Sequence, residues 1–138
     1  MIDLSNKTIL VTGASKGIGA AIVQNLSKAK ANIIAQYCSD KTGMDEVISS
    51  CGDANIVTYQ ADFKKVEEVE NLWEKSISWR NGIDVLINNA AIIRFEGGID
   101  DSDHIWKETW EDTLAVNLMA PCNFMRKAVP HFQKKGGG

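Results

Sequence analysis

The segment Thr12-Gly13-Ala14-Ser15-Lys16-Gly17-Ile18-Gly19 carries the densest chemical signal in the chain. It follows the apolar run "KTILV" and opens a stretch of helical periodicity, so its glycines fall at a strand-to-helix turn. Gly13 can leave the strand with a positive φ, Gly17 lets backbone approach a ligand, and Gly19 lets the helix pack tightly on the sheet. The first amides of a helix lack intrahelical acceptors and sit at the positive end of its dipole, an arrangement that holds a pyrophosphate. Ser15, Lys16 and Ile18, between the glycines, are expected to face such a ligand. Plain turn chemistry is the alternative. A second candidate is Asn117. Pro121, four residues later, has no N–H, so the Asn117 carbonyl is denied its helical donor and the helix should bend there. A carbonyl released in this way can hold a water; an incidental kink is the alternative. His104 and His131 lack metal-ligand spacing, and Cys38, Cys51 and Cys122 form no C-x-x-C pair, so no metal site is expected. The charged runs 64–70 and 100–104 read as solvated surface, and Trp106 and Trp110 as packing.

Four strand patterns position these groups: 7–13, 32–37, 55–61 and 84–88. Each is followed by apolar residues at helical spacing. These are Ile18, Ile22, Leu26 and Ala29; then Met44, Val47, Ile48 and Cys51; then Val66, Val69, Leu72, Trp73 and Ile77. The last is a long helix starting within 103–109, with Trp110, Leu114, Leu118, Pro121, Met125, Ala128, Val129 and Phe132 expected inward. The run "DVLIN" is almost wholly apolar, as in a strand buried on both faces. This alternation predicts an α/β fold with a parallel sheet and right-handed crossovers. The three glycines 136–138, after Lys134 and Lys135, predict a helix stop.

Composition narrows the function classes. The 138 residues, 44% hydrophobic and 24% charged, suit one folded domain, and a net charge of −3 gives no electrostatic footprint for nucleic acid. No apolar run reaches the length of a membrane span, and the N-terminus has no signal-peptide pattern. An odd number of cysteines without pairing motifs predicts reduced thiols and a cytoplasmic protein.

Four segments together carry a resemblance. T-G-x-x-x-G-x-G at 12–19, Asp62-Phe63 after the third strand, "NNAA" at 88–91 and "LAVNL" at 114–118 occur in that order. In them the chain resembles the short-chain dehydrogenase/reductase family over its whole length, with Ala91 where the family usually has glycine. The resemblance implies a Rossmann-type doubly wound sheet, here with four of the expected strands. It also implies an NAD(P)-dependent oxidoreductase passing hydride between nicotinamide and a small alcohol or carbonyl substrate. Asp62 and Phe63 would then adjoin the adenine, with the Asp62 carboxylate accepting from its amino group. Asn89, Ala90 and Ala91 would lie near the cofactor ribose, Asn88 would brace the loop, and Asn117 would be the catalytic-site asparagine. The loop 92–101 is expected to border the substrate.

The choice of dinucleotide follows from the end of the second strand, where NAD-preferring sites place a carboxylate on the ribose 2′-OH. Tyr37 stands there, Asp40 comes three residues on, and Lys16 offers positive charge to a 2′-phosphate; NADP is therefore expected over NAD. The family's serine and its Y-x-x-x-K pair are not matched: Tyr37 and Tyr59 lie in early strands. Residues 1–138 are expected to be the amino-terminal part of one Rossmann domain, with those groups beyond Gly138 and no turnover by the chain alone. A non-catalytic dinucleotide-binding module is the alternative. The resemblance implies that the last helix contributes to a homo-dimer or tetramer, and an uncovered fourth strand would be an aggregation-prone edge.

Overall fold

A computed structural model describes residues 2–138. The elements run β1 (Thr8–Val11), α1 (Gly17–Lys28), β2 (Asn32–Tyr37), α2 (Lys41–Ser50), β3 (Ile56–Gln60), α3 (Val66–Ser78), β4 (Val85–Ile87), α4 (Asp103–Leu114), a π-helical turn (Ala115–Met119) and α5 (Ala120–Lys135). The four strands form one parallel sheet in the order β3-β2-β1-β4.

Strand alternation divides the core in two. Leu10 and Ile34 face one way, onto Val69, Leu72, Trp73, Phe124 and Ala128 of α3 and α5. Ile9, Val11, Ile33 and Ala35 face the other, onto Val23 of α1 and Met44 and Val47 of α2. Helices thus cover both faces, and each strand residue is committed to one of two layers. The fold is the expected α/β Rossmann type with four parallel strands.

Helix ends follow local chemistry. Asp40 caps α2 by accepting from the Gly43 N–H at 3.0 Å, and Ser102 caps α4 through Ile105 N–H at 3.3 Å. Gly136 ends α5 at φ +85°, its N–H turned back onto the last carbonyls, as the glycine run predicted. The π-helical turn lies just before Pro121, where the missing N–H disrupts the α-helical ladder.

Three inward-face expectations need correction. Trp110, Leu114, Leu118, Met125 and Val129 are 45–56% exposed; Ala128 is buried as expected, and Thr109, Val116, Ala120 and Phe124 join it on the inward side of α4, the π-helical turn and α5. Phe124 fills that side with Ala120 and Ala128 beside it, in the cluster α5 shares with Val69, Leu72 and Trp73 of α3. Trp106 and Trp110 stack on each other, centroids 5.6 Å apart, but remain about half exposed. In β4, Val85 is 37% exposed, because the strand lies at a sheet edge rather than between neighbours. Ile18 and Val66 are also exposed, and Val23 takes the buried place on α1.

Candidate functional site

The carboxyl ends of all four strands open onto one cavity of about 690 Å³. That is where a parallel α/β sheet offers its loops and helix N-termini to a ligand. Of the residues singled out from sequence, Gly13, Ser15, Lys16, Ile18, Gly19, Asp62, Phe63, Asn89, Ala90 and Ala91 line it.

The glycine loop is built by close approach. Gly13 has φ +67°, and a Cβ on it would lie 2.8 Å from Ala90 Cα. Gly19 sits so close beneath the loop that a Cβ there would lie 2.0 Å from the Gly13 oxygen. Gly17, at φ +55°, faces open space and does not line the cavity. Lys16, the residue before α1, makes no side-chain cap, and the first turn of α1 holds no acid. The N–H groups at this helix start are left for an anion.

A knot of hydrogen bonds joins β1 to β4 beneath the cavity. Thr12 Oγ1 donates to the Ile87 carbonyl at 3.3 Å and accepts the N–H of Asn89 and of Ala90, each at 3.0 Å. The Asn89 carboxamide donates to the carbonyls of Thr12 at 2.9 Å and Gly13 at 3.1 Å. The bracing role expected of Asn88 therefore falls to Asn89, and Asn88 is exposed. The reason is alternation at the strand end: only the second asparagine turns inward over Thr12.

On the β3 side, Asp62 is held at both ends. Its N–H donates to Glu68 Oε2 at 2.6 Å, and its Oδ1 accepts the Lys64 N–H at 3.0 Å. Lys65 pairs with Glu68 at 2.7 Å and, with the Asp62 amide, holds that carboxyl below its ordinary range. Phe63 is buried edge-on against Phe124, so its ring is a wall and a core contact at once.

The end of β2 departs from expectation. Tyr37 does not line the cavity, because odd-numbered residues of β2 point to the α1–α2 face and its ring packs there. Cys38, Ser39 and Asp40 take its place. Burial, then the nearby Asp62 charge, pushes the Cys38 thiol up, which argues against a thiolate nucleophile. Asp40 borders the cavity while its Oδ1 caps α2.

Asn117 itself does not line the cavity, although its neighbour Val116 does. Its carboxamide pairs reciprocally with the Ile92 backbone, accepting from N–H at 2.8 Å and donating to C=O at 2.9 Å. This fixes the loop after β4. The Asn117 side chain is thus engaged at both ends with the backbone at Ile92.

Sequence reasoning missed the groups at the far end of the cavity. Arg94 pairs with Glu96 and Asp112, both at 2.7 Å, and Lys64 approaches Asp112 at 3.6 Å. Gln36 was also missed; a polar residue inside the apolar run "NIIAQY" was its one visible signal. Among the described residues no cluster of His, Cys, Asp or Glu could hold a metal, and no tyrosine lines the cavity.

Comparison with known proteins agrees with this arrangement. The sequence model of the short chain dehydrogenases matches residues 7–138. The chain is 34% identical over 132 residues to 3beta-hydroxysteroid dehydrogenase 1 of Eggerthella lenta, covering 94% of this chain and 49% of that protein. It is 33% identical to dehydrogenase/reductase SDR family member 4 of Homo sapiens, covering 98% and 48% respectively. A solved short-chain dehydrogenase/reductase, a glucose/ribitol dehydrogenase from Brucella melitensis, superposes with a TM-score of 0.78 at 28% identity, covering 94% of this chain and 53% of its own. The chain spans about half the length of the curated relatives it matches.

Proposed function

Because the chain belongs to the short-chain dehydrogenase family, we propose that residues 1–138 form the dinucleotide-binding part of a cytoplasmic NAD(P)-dependent oxidoreductase acting on a small alcohol or carbonyl compound. The observation that carries this reading is the cavity itself. A helix start without a side-chain cap, Asp62 and the Asn89–Ala91 loop all face one space of about 690 Å³, within the range of small-molecule and cofactor sites. The pyrophosphate would lie at the amides of α1, the adenine at Asp62, and the nicotinamide end toward Ala90 and Ala91.

When bound, the nicotinamide supplies or accepts hydride. This chain's own residues bind and orient it. Lys16 offers charge to a phosphate, Asn89 holds the glycine loop to β4, and Asn117 holds the loop at Ile92. The Asn117 carbonyl, denied an α-helical donor by Pro121, is the group assigned to hold a water for proton relay. No tyrosine reaches the cavity, so the 138-residue chain is expected to bind cofactor without turning over. The exposed stripe Trp106, Trp110, Leu114, Leu118, Met125 and Val129 is assigned to a second copy. At 1.5 Å per residue it runs about 35 Å, long enough for a helix-paired dimer.

Lys16 beside the helix start favours NADP. Asp40 in the same cavity favours a second reading, NAD, in which its free oxygen would take the ribose 2′-OH. Titration of the chain with NADPH and NADH separates them. NADPH is expected to bind more tightly, and Lys16→Ala to weaken NADPH by about three- to tenfold with NADH unchanged. Tighter NADH binding, lost in Asp40→Ala, would establish the second reading. Binding of neither would overturn the function.

A further inference from the structure

We infer that Gln36 is a positioning residue of the cavity: its carboxamide sets the spacing between the glycine loop and the Asp62 loop, and it leaves anion binding to the amides after Ala14. This rests on the dinucleotide reading above. Gln36 is the penultimate residue of β2 and only 2% exposed, following the buried apolar run Ile33-Ile34-Ala35. A carboxamide buried there is costly unless both its ends are paired.

Both are. Oε1 accepts the Gly13 N–H at 2.8 Å, and Nε2 donates to the Ala61 carbonyl at 2.7 Å. The main-chain carbonyl of Gln36 also accepts the Ala14 N–H at 2.8 Å. Because β2 lies between β1 and β3, one side chain spans from the end of β1 to the end of β3. Gly13 and Ala14 thereby spend their N–H groups sideways within the sheet. The donors left to face a pyrophosphate are those of the following turn, at the start of α1.

The far end of the bridge matters equally. Ala61 precedes Asp62, whose carboxylate is assigned to the adenine. A dinucleotide has a limited span between pyrophosphate and adenine. Gln36 holds the two loops that must meet those ends, and preorganisation of this kind raises affinity by reducing what must be ordered on binding.

Gln36→Met keeps the shape and removes both bonds. Gln36→Glu keeps the acceptor for Gly13 and regains a donor for Ala61 only when its carboxyl is protonated. Kd for NADPH and the melting temperature would be measured for both variants and wild type, the glutamate variant across pH 5 to 8. Gln36→Met is expected to lose tenfold or more in affinity. Gln36→Glu is expected to match that loss at high pH and to recover toward wild type as pH falls.

The charged and titratable groups that line the cavity with Gln36 are Lys16 on the glycine loop, Cys38 and Asp40 after β2, Asp62 and Lys64 after β3, and Arg94, Glu96 and Asp112 at its far end. They are common to wild type and variant, so the ratio of affinities cancels their titration. A purely structural role would let stability recover with falling pH while the affinity ratio stayed flat, and that result would overturn the inference. So would affinities within twofold of wild type in both variants. If Gln36→Met fails to fold, the glutamate variant's pH profile decides alone. Wild-type chain that binds neither NADPH nor NADH would overturn the dinucleotide reading and this inference together.

Discussion

Adding a single methyl group at Gly19 sets two effects of opposite sign against each other. Gly19 lies inside α1, where alanine is favoured over glycine by about 1 kcal/mol. Against that, its Cβ would stand 2.0 Å from the Gly13 oxygen, 2.8 Å from the Gly13 carbonyl carbon and 2.6 Å from Asn89 Nδ2. Two of those atoms are backbone, so the loop must move by more than an ångström, and it is not free to do so. Gly13 N–H is held by Gln36, and its carbonyl by Asn89. Overpacking costs roughly 1–3 kcal/mol or more, and each broken bond about 1 kcal/mol. The net expectation for Gly19→Ala is a loss of about 2–4 kcal/mol, roughly 10 °C in melting temperature for a chain of this size. Gly17→Ala is the control: its Cβ meets nothing within 4 Å, and only its φ of +55° opposes the change, at about 1 kcal/mol. Urea unfolding of the two variants gives the comparison. Gly19→Ala as stable as Gly17→Ala, or more so, would refute the reasoning, because propensity would then have outweighed the clash.

Two further outcomes follow from surface and charge. Asp84 accepts the Thr8 N–H and pairs with Lys135, each at 2.8 Å; burial pushes its carboxyl up, but Lys135 and the Thr8 amide outweigh burial and hold it below the ordinary value. A carboxyl lowered on folding stabilises above its unfolded value, near 4, and ceases to as pH falls through the folded one. The stability lead of wild type over Asp84→Asn should therefore be constant near neutrality and close in acid below about pH 4; a gap independent of pH would contradict this. Leu114→Glu with Leu118→Glu, both about half exposed, should convert a dimer to monomer in sedimentation without lowering the melting temperature of the protomer. A wild-type chain that sediments as a monomer at high concentration would remove the stripe's assigned partner.

The strand positions and the glycine loop were legible because each rests on local rules. An apolar run ending in glycine, then helical spacing, leaves few other structures, and β2 falls on Asn32–Tyr37 as read. The inner face of α4 and α5 was legible only in part, at Ala128 and Phe132. Trp110, Leu114 and Leu118 have the stronger apolar spacing, yet Thr109, Ala120 and Phe124 are the buried ones, since hydrophobicity alone does not say which surface covers a stripe. Tyr37 was placed one residue from the cavity wall, and alternation turns a one-residue error into the opposite face. Asn88 and Asn89 were confused for the same reason. Arg94, Asp112 and Gln36 act across 18 to 25 residues of sequence, where no local pattern reports a contact.

The Thr12–Asn89 knot bears on how the site comes into being. Its bonds join residues 75 to 78 apart in the chain, with β2, β3 and three helices between them. Closing so long a loop loses chain entropy before any contact compensates, and non-local parallel pairings of this kind are slow to form. The glycine loop can take its turn early, but the wall it shares with Ala90 and Ala91 exists only after β4 has docked on β1. Under the proposed function, a dinucleotide would arrive at a finished cleft and would not template its assembly. Its effect on the kinetics should fall on unfolding, slowing the departure of β4, with the folding rate left as it is without ligand.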